Sequence, residues 1–140
     1  MLFLFLTIDE MVSFHESLIL PFRSLFDISS GFLFFAWVIP YGIGVFVFGL
    51  VYLRFLMDLP KKTRFLFILS GSLFVSGAIG MELIGANEFA KAGYSFSFSL
   101  ITTLEESMEM IGIAFFIYAL AQYIYENFGS FSLKIVKAQK

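Results

Sequence analysis

The residues able to do chemistry in this 140-residue chain are mostly acids, and they come in groups. Asp9, Glu10, His15 and Glu16 form D-E-x-x-x-x-H-E near the amino terminus, Glu82 lies inside an apolar run, and Glu105, Glu106 and Glu109 form E-E-x-x-E. Paired carboxyl groups with one imidazole can hold protons or bind a cation through oxygen. A divalent ion keeps neighbouring carboxylates charged, whereas without one they cannot all ionise. Such a donor set suits magnesium, calcium, manganese or iron, with zinc acceptable. Di-iron bundles draw a Glu-x-x-His pair from each of two helices, and this chain has no such pair, which counts against a ferritin-like oxidase.

The elements that must carry these groups are apolar and long. Hydrophobic residues make up 59% of the chain and charged residues 14%, with mean hydropathy +0.90, outside the range of soluble domains. From Ile28 to Leu53 no residue is charged, and about 20 apolar residues cross a hydrocarbon core of about 30 Å as helix. This predicts a span at 32–54, kinked at Pro40, with Gly42 and Gly44 beside it. A second span is expected at 64–86 and a third at 96–125, the last about 45 Å long and therefore tilted or protruding. Residues 1–20 read as a polar membrane helix ended by Pro21, with an interfacial amphipathic helix as the alternative. The stretch lacks a basic start and a small-residue cleavage site, so no removable signal peptide is expected. The fold class is all-α: one integral membrane helical bundle over 1–140, with three spans, one polar amino-terminal membrane helix and a basic tail at 130–140.

Basic residues set the orientation. Arg54, Lys61, Lys62, Arg64, Lys134, Lys137 and Lys140 fall on one side, and Arg23 and Lys91 on the other. The positive-inside rule then makes the 54–64 loop and the carboxyl terminus cytoplasmic, in a multi-pass protein of the cell (inner) membrane. Lipid is the first partner implied, and attraction to anionic headgroups is the default role of the tail. Nine basic against eleven acidic residues and a pI near 5.3 leave no basic stripe for nucleic acid. The chain has no cysteine, which removes disulfides, iron–sulfur clusters and covalent haem attachment, and the single histidine gives no basis for a metal site built of histidines. No Gly-x-Ser-x-Gly turn is present, so hydrolytic catalysis is not indicated and the reading leans away from an enzyme.

Counted along regular helices, all the acids except Asp27, Asp58, Glu88 and Glu126 fall about 10–25 Å from the cytoplasmic face, with no lysine or arginine at comparable depth. At 100° per residue Glu105, Glu106 and Glu109 lie at about 0°, 100° and 40°, on one face with Thr102. Asp9 and Glu16 share a face of the first helix, from which His15 is about 120° away. An unpaired carboxylate in lipid costs several kcal/mol, so each must be protonated, hydrated or bound to a cation. If metal binds, Glu105 and Glu109 are the first candidates as ligands, supported by Thr102 and Tyr118, with Glu106, Glu82, Asp9, Glu10, Glu16 and His15 completing the set. The bland alternative places the amino-terminal acids at the water interface and pairs Glu82 with Lys91 or Arg23. Trp37, Tyr41, Tyr118, Tyr123 and Tyr125 read either as membrane-interface aromatics or as donors to the acids. Ser72, Ser76 and Gly80, four apart, read as a ridge for helix packing.

The D-E-x-x-x-x-H-E run at 9–16, Tyr52-Leu-Arg-Phe-Leu56 ahead of Leu59-Pro60, and E-E-x-x-E-x-x-G at 105–112 carry a resemblance. Along most of its length the chain resembles an uncharacterised group of bacterial multi-pass membrane proteins. Members of that group look longer at the amino terminus, with a further helix ahead of the position of Met1 that this sequence lacks, and the resemblance supplies no activity. Three functions are therefore weighed: a carboxylate-rich intramembrane site for metal ions or protons, including an ion pathway; an accessory subunit of a larger complex or a homo-oligomer; and a membrane metalloenzyme or redox protein.

Overall fold

A computed structural model describes residues 2–129, with the side chains of Leu2, Phe3 and Glu10 outside that description, as is the basic tail at 130–140. Every element among the described residues is helical: α1 (Leu2–Val12), α2 (Phe14–Ser17), α3 (Ile19–Leu25), α4 (Val38–Asp58), α5 (Lys61–Val75), a π segment (Ser76–Met81), α6 (Glu82–Ala92) and α7 (Phe96–Phe128). Three stretches are long and apolar enough to cross a membrane: Val38–Asp58, Lys61–Ala92 and Phe96–Phe128.

The amino-terminal helix is broken where a regular one was expected at 1–20. Ser13 adopts the left-handed conformation (φ 51°, ψ 40°), which a right-handed helix cannot pass through. The Asp9 side chain supplies the reason, because Asp9 Oδ1 accepts the His15 backbone N–H at 3.1 Å and so takes the place of a backbone carbonyl. Pro21 does not end the helical path. It is the third residue of α3, in the first turn, where its missing N–H has no intrahelical acceptor to lose.

Helix α4 starts at Val38, later than the expected 32, and runs on to Asp58. Phe34 and Phe35 are held instead against Phe89, at ring-centroid distances of 6.0 and 5.3 Å, and Gly31 turns the chain there with φ 90°. The expected kink at Pro40 is absent for the same reason as at Pro21: with α4 beginning at Val38, Pro40 lies in its first turn. At the other end the Arg64 guanidinium donates to the carbonyls of Met57 and Leu59, occupying acceptors that the last turn of α4 leaves open.

α5, the π segment and α6 form one continuous helix over Lys61–Ala92, beyond the expected 64–86, and α7 extends past 125 to Phe128. Ser95 opens α7 by accepting the Phe98 N–H at 3.1 Å. The two long helices pack antiparallel through small residues. A Cβ added at Gly112 would lie 2.8 Å from the Phe74 nitrogen and 3.0 Å from the Ser70 carbonyl oxygen; one at Gly77 would lie 3.0 Å from the Glu105 carbonyl oxygen and 3.1 Å from Glu109 Cγ. Ser70 and Gly85 continue the seam, against Gly112 and against Ile101 and Phe98, and Ala86 and Ala119 are buried as well. The expected ridge is not that seam: Ser72 and Ser76 are exposed, because the packed face runs through Ser70 and Gly77.

Few apolar side chains are buried, and α4 is exposed on every face from Ile43 to Phe55. At 1.5 Å per residue α4 is about 30 Å long and Lys61–Ala92 about 48 Å, so α4 begins about two thirds of the way along the neighbouring helix, beside Glu82.

Candidate carboxyl site

The start of α4 brings Trp37 and Tyr41 between the amino-terminal segment and Glu82. Asp9 is the best-held acid. It is 6% exposed, and its Oδ1 accepts from the His15 backbone N–H and from the Tyr41 hydroxyl at 2.7 Å, while Oδ2 faces His15 Nδ1 at 3.0 Å. With a carboxylate as acceptor, Nδ1 carries the proton in that contact. The left-handed Ser13 makes this possible, since on a regular helix His15 would point about 120° away from Asp9.

The His15 ring also lies 4.8 Å from the Trp37 ring, centroid to centroid, and Trp37 stands nearly perpendicular to Tyr41 at 5.1 Å. Trp37 then turns its indole N–H to Glu82 Oε1 at 2.9 Å. Trp37 and Tyr41 thus both act as donors to acids. Glu82 has Glu105 within side-chain hydrogen-bonding reach, and His15 and Glu16 within electrostatic reach. A chain of polar contacts therefore runs from Tyr41 and Asp9 through His15 and Trp37 to Glu82 and Glu105. Glu109, one turn beyond Glu105, continues along the face that packs on Gly77.

Some expected members stand apart. Glu106 is exposed and faces away from the seam, because α5 and the π segment cover an arc that includes Glu105 and Glu109 but not the position 100° further round. Glu16 is exposed although it is near Glu82. Tyr118 is 56% exposed and supports no acid among the described residues, while the Thr102 hydroxyl donates to the Phe98 carbonyl at 3.2 Å. Arg23 is not the counter-ion of Glu82: its guanidinium lies 4.0 Å over the Phe34 ring and its Nε donates to the Ile28 carbonyl. The Glu10 side chain is outside the described residues. Among the described residues no three histidine or acid side chains converge in a way that would hold a metal ion.

No curated protein and no solved structure matches the chain. A family model described as a domain of unknown function, DUF8692, matches residues 1–123, which is nearly the whole of the described chain, and the chain belongs to that family.

Proposed function

We propose that the chain is an integral membrane protein whose helices enclose a proton-holding carboxyl cluster, with Glu82 and Glu105 as the pair that shares a proton. The observation that carries this reading is the placement of Glu82, whose Oε1 accepts the Trp37 indole N–H at 2.9 Å, beside Glu105 of α7, whose backbone packs on Gly77. Two ionised carboxylates have no hydrogen to share, so a bond between them requires a proton on one. The indole N–H of Trp37 on Glu82 Oε1 leaves the other oxygen for that bond.

The cluster is drawn out along the bundle from Asp9 to Glu109 rather than closed around a point, which favours protons over a fixed metal ion and suits a proton pathway. Membrane insertion is supported by three long apolar helices and by the apolar side chains that α4 exposes all round. The excess of basic residues at the 54–64 loop and the tail supports a cytoplasmic carboxyl terminus.

Infrared spectroscopy of the protein in lipid tests the pair directly. The carbonyl stretch of a protonated, buried carboxyl group is expected in the wild type and is expected to be lost or displaced in both Glu82→Gln and Glu105→Gln. A band unchanged in both variants overturns the reading.

A second reading, a subunit of a larger membrane assembly, is favoured by α4, whose residues from Ile43 to Phe55 are all exposed among the described residues. Purification in mild detergent separates the two arrangements: a stable homo-oligomer with no other polypeptide argues against obligate assembly with different subunits.

A further inference from the structure

At the end of the bundle opposite the carboxyl cluster, four cations gather around the turn between α4 and α5. They are Arg54 on α4 and Lys61, Lys62 and Arg64 on α5, with Asp58 and Glu126 as the acids at that end. Two of the four are engaged. Arg64 donates to the Met57 and Leu59 carbonyls, and Lys62 Nζ lies 3.4 Å from Glu126 Oε1, which also accepts from Gln122 Nε2 at 3.0 Å. Arg54 and Lys61 are exposed, and their side chains have no hydrogen bond or ion pair among the described residues.

We propose that this end of the bundle binds the headgroups of anionic phospholipids, with Arg54 and Lys61 as the contacting cations. Lys61 opens α5 where the apolar helices end, at the level of the lipid phosphates. Arg54 stands one turn earlier, about 6 Å deeper, and its long side chain reaches the same level by running along the apolar surface. A zwitterionic lipid brings its own cation to its phosphate, whereas an anionic lipid brings none, so two unengaged cations discriminate between them. Asp58 shares the turn and moderates the field, which keeps the preference modest.

The test uses the full chain reconstituted in phosphatidylcholine vesicles, with spin-labelled phosphatidylglycerol and phosphatidylcholine as paired probes. The wild type is expected to hold phosphatidylglycerol in preference. One basic residue near an anionic surface contributes up to about fivefold, so Arg54→Gln and Lys61→Gln are each expected to lower the preference by no more than that. Lys62→Gln is expected to lower it less, since Glu126 already neutralises that ammonium. Arg54→Lys is expected to retain the preference, which separates loss of charge from loss of fold. Equal retention of the two lipids by the wild type, or a preference untouched in the Arg54→Gln/Lys61→Gln double variant, overturns the proposal.

Discussion

Asp9 and His15 are six residues apart, and the carboxylate of one receives both the backbone N–H and the ring Nδ1 of the other, at 3.1 and 3.0 Å. This double contact bends the amino-terminal helix at Ser13 and turns the imidazole toward Trp37. The bend and the placement of the only histidine have a common cause, so disturbing either one should disturb the other.

Ser13 carries the conformational cost of that bend. Glycine adopts the left-handed region without steric penalty, so Ser13→Gly is expected to leave stability unchanged or raise it by up to about 1 kcal/mol. Ser13→Val, with a branched side chain in the same region, is expected to lower it by about 1–2 kcal/mol. Thermal unfolding of the solubilised protein, followed by circular dichroism, measures both.

Tyr41 donates the shortest contact to Asp9, at 2.7 Å, inside a site where the carboxylate is 6% exposed. Tyr41→Phe keeps the ring and removes that donor, at an expected cost of about 1–3 kcal/mol. Tyr52→Phe is the control. Tyr52 is exposed and stacks on Phe48 at 4.2 Å through its ring, which the substitution retains, so a shift below about 0.5 kcal/mol is expected.

Trp37 is the only tryptophan and it donates to Glu82, so its fluorescence reports on that carboxyl group. Glutamine preserves a neutral oxygen acceptor at the same place. If Glu82 holds the shared proton, Glu82→Gln is expected to leave the emission maximum near that of the wild type, while Glu82→Leu, which strands the buried indole N–H, moves it. A large shift in Glu82→Gln counts against a protonated Glu82.

Gly112 marks the closest approach of the two long helices. Gly112→Ala places a methyl group 2.8 Å from the Phe74 backbone nitrogen, so the helices must separate, and a loss of about 1–3 kcal/mol with poorer monodispersity is expected. Gly71→Ala meets nothing within 4 Å and gains helix propensity, so the opposite sign is expected, up to about 1 kcal/mol. Size-exclusion profiles and melting temperatures of the pair distinguish the two effects.

The helical architecture was legible because hydropathy integrates over many residues: an uncharged stretch from Ile28 to Leu53 contains a long apolar helix whatever its neighbours do. Its start was not legible, since Phe34 and Phe35 are as apolar as the helix and only their contacts with Phe89 keep them out of it. Composition and depth suggest one site for Glu82 and Glu105 without saying which groups approach them; the Trp37 indole on Glu82 shows only in the fold. Spacing alone puts Glu106 on the face of Glu105 and Glu109, although a single packed neighbour covers less than 100° of a helix. The position of His15 depends on a break that helical periodicity does not contain. Nothing in Ser13 or Asp9 alone announces a left-handed residue; the signal lies in an acid able to reach the backbone of its sixth neighbour.

The π segment at Ser76–Met81 sets where Glu82 points. A π turn accommodates one more residue than an α turn, so every side chain after it is rotated by about 100° from where uninterrupted α-helix would have put it. Removing one residue, such as Ala78, would restore the ordinary winding and swing Glu82 off Trp37 and Glu105, with charge unchanged and hydropathy almost so. The address of this acid is thus written in the number of residues that precede it, and a deletion that costs the molecule only a methyl-bearing alanine would misdeliver the carboxyl group.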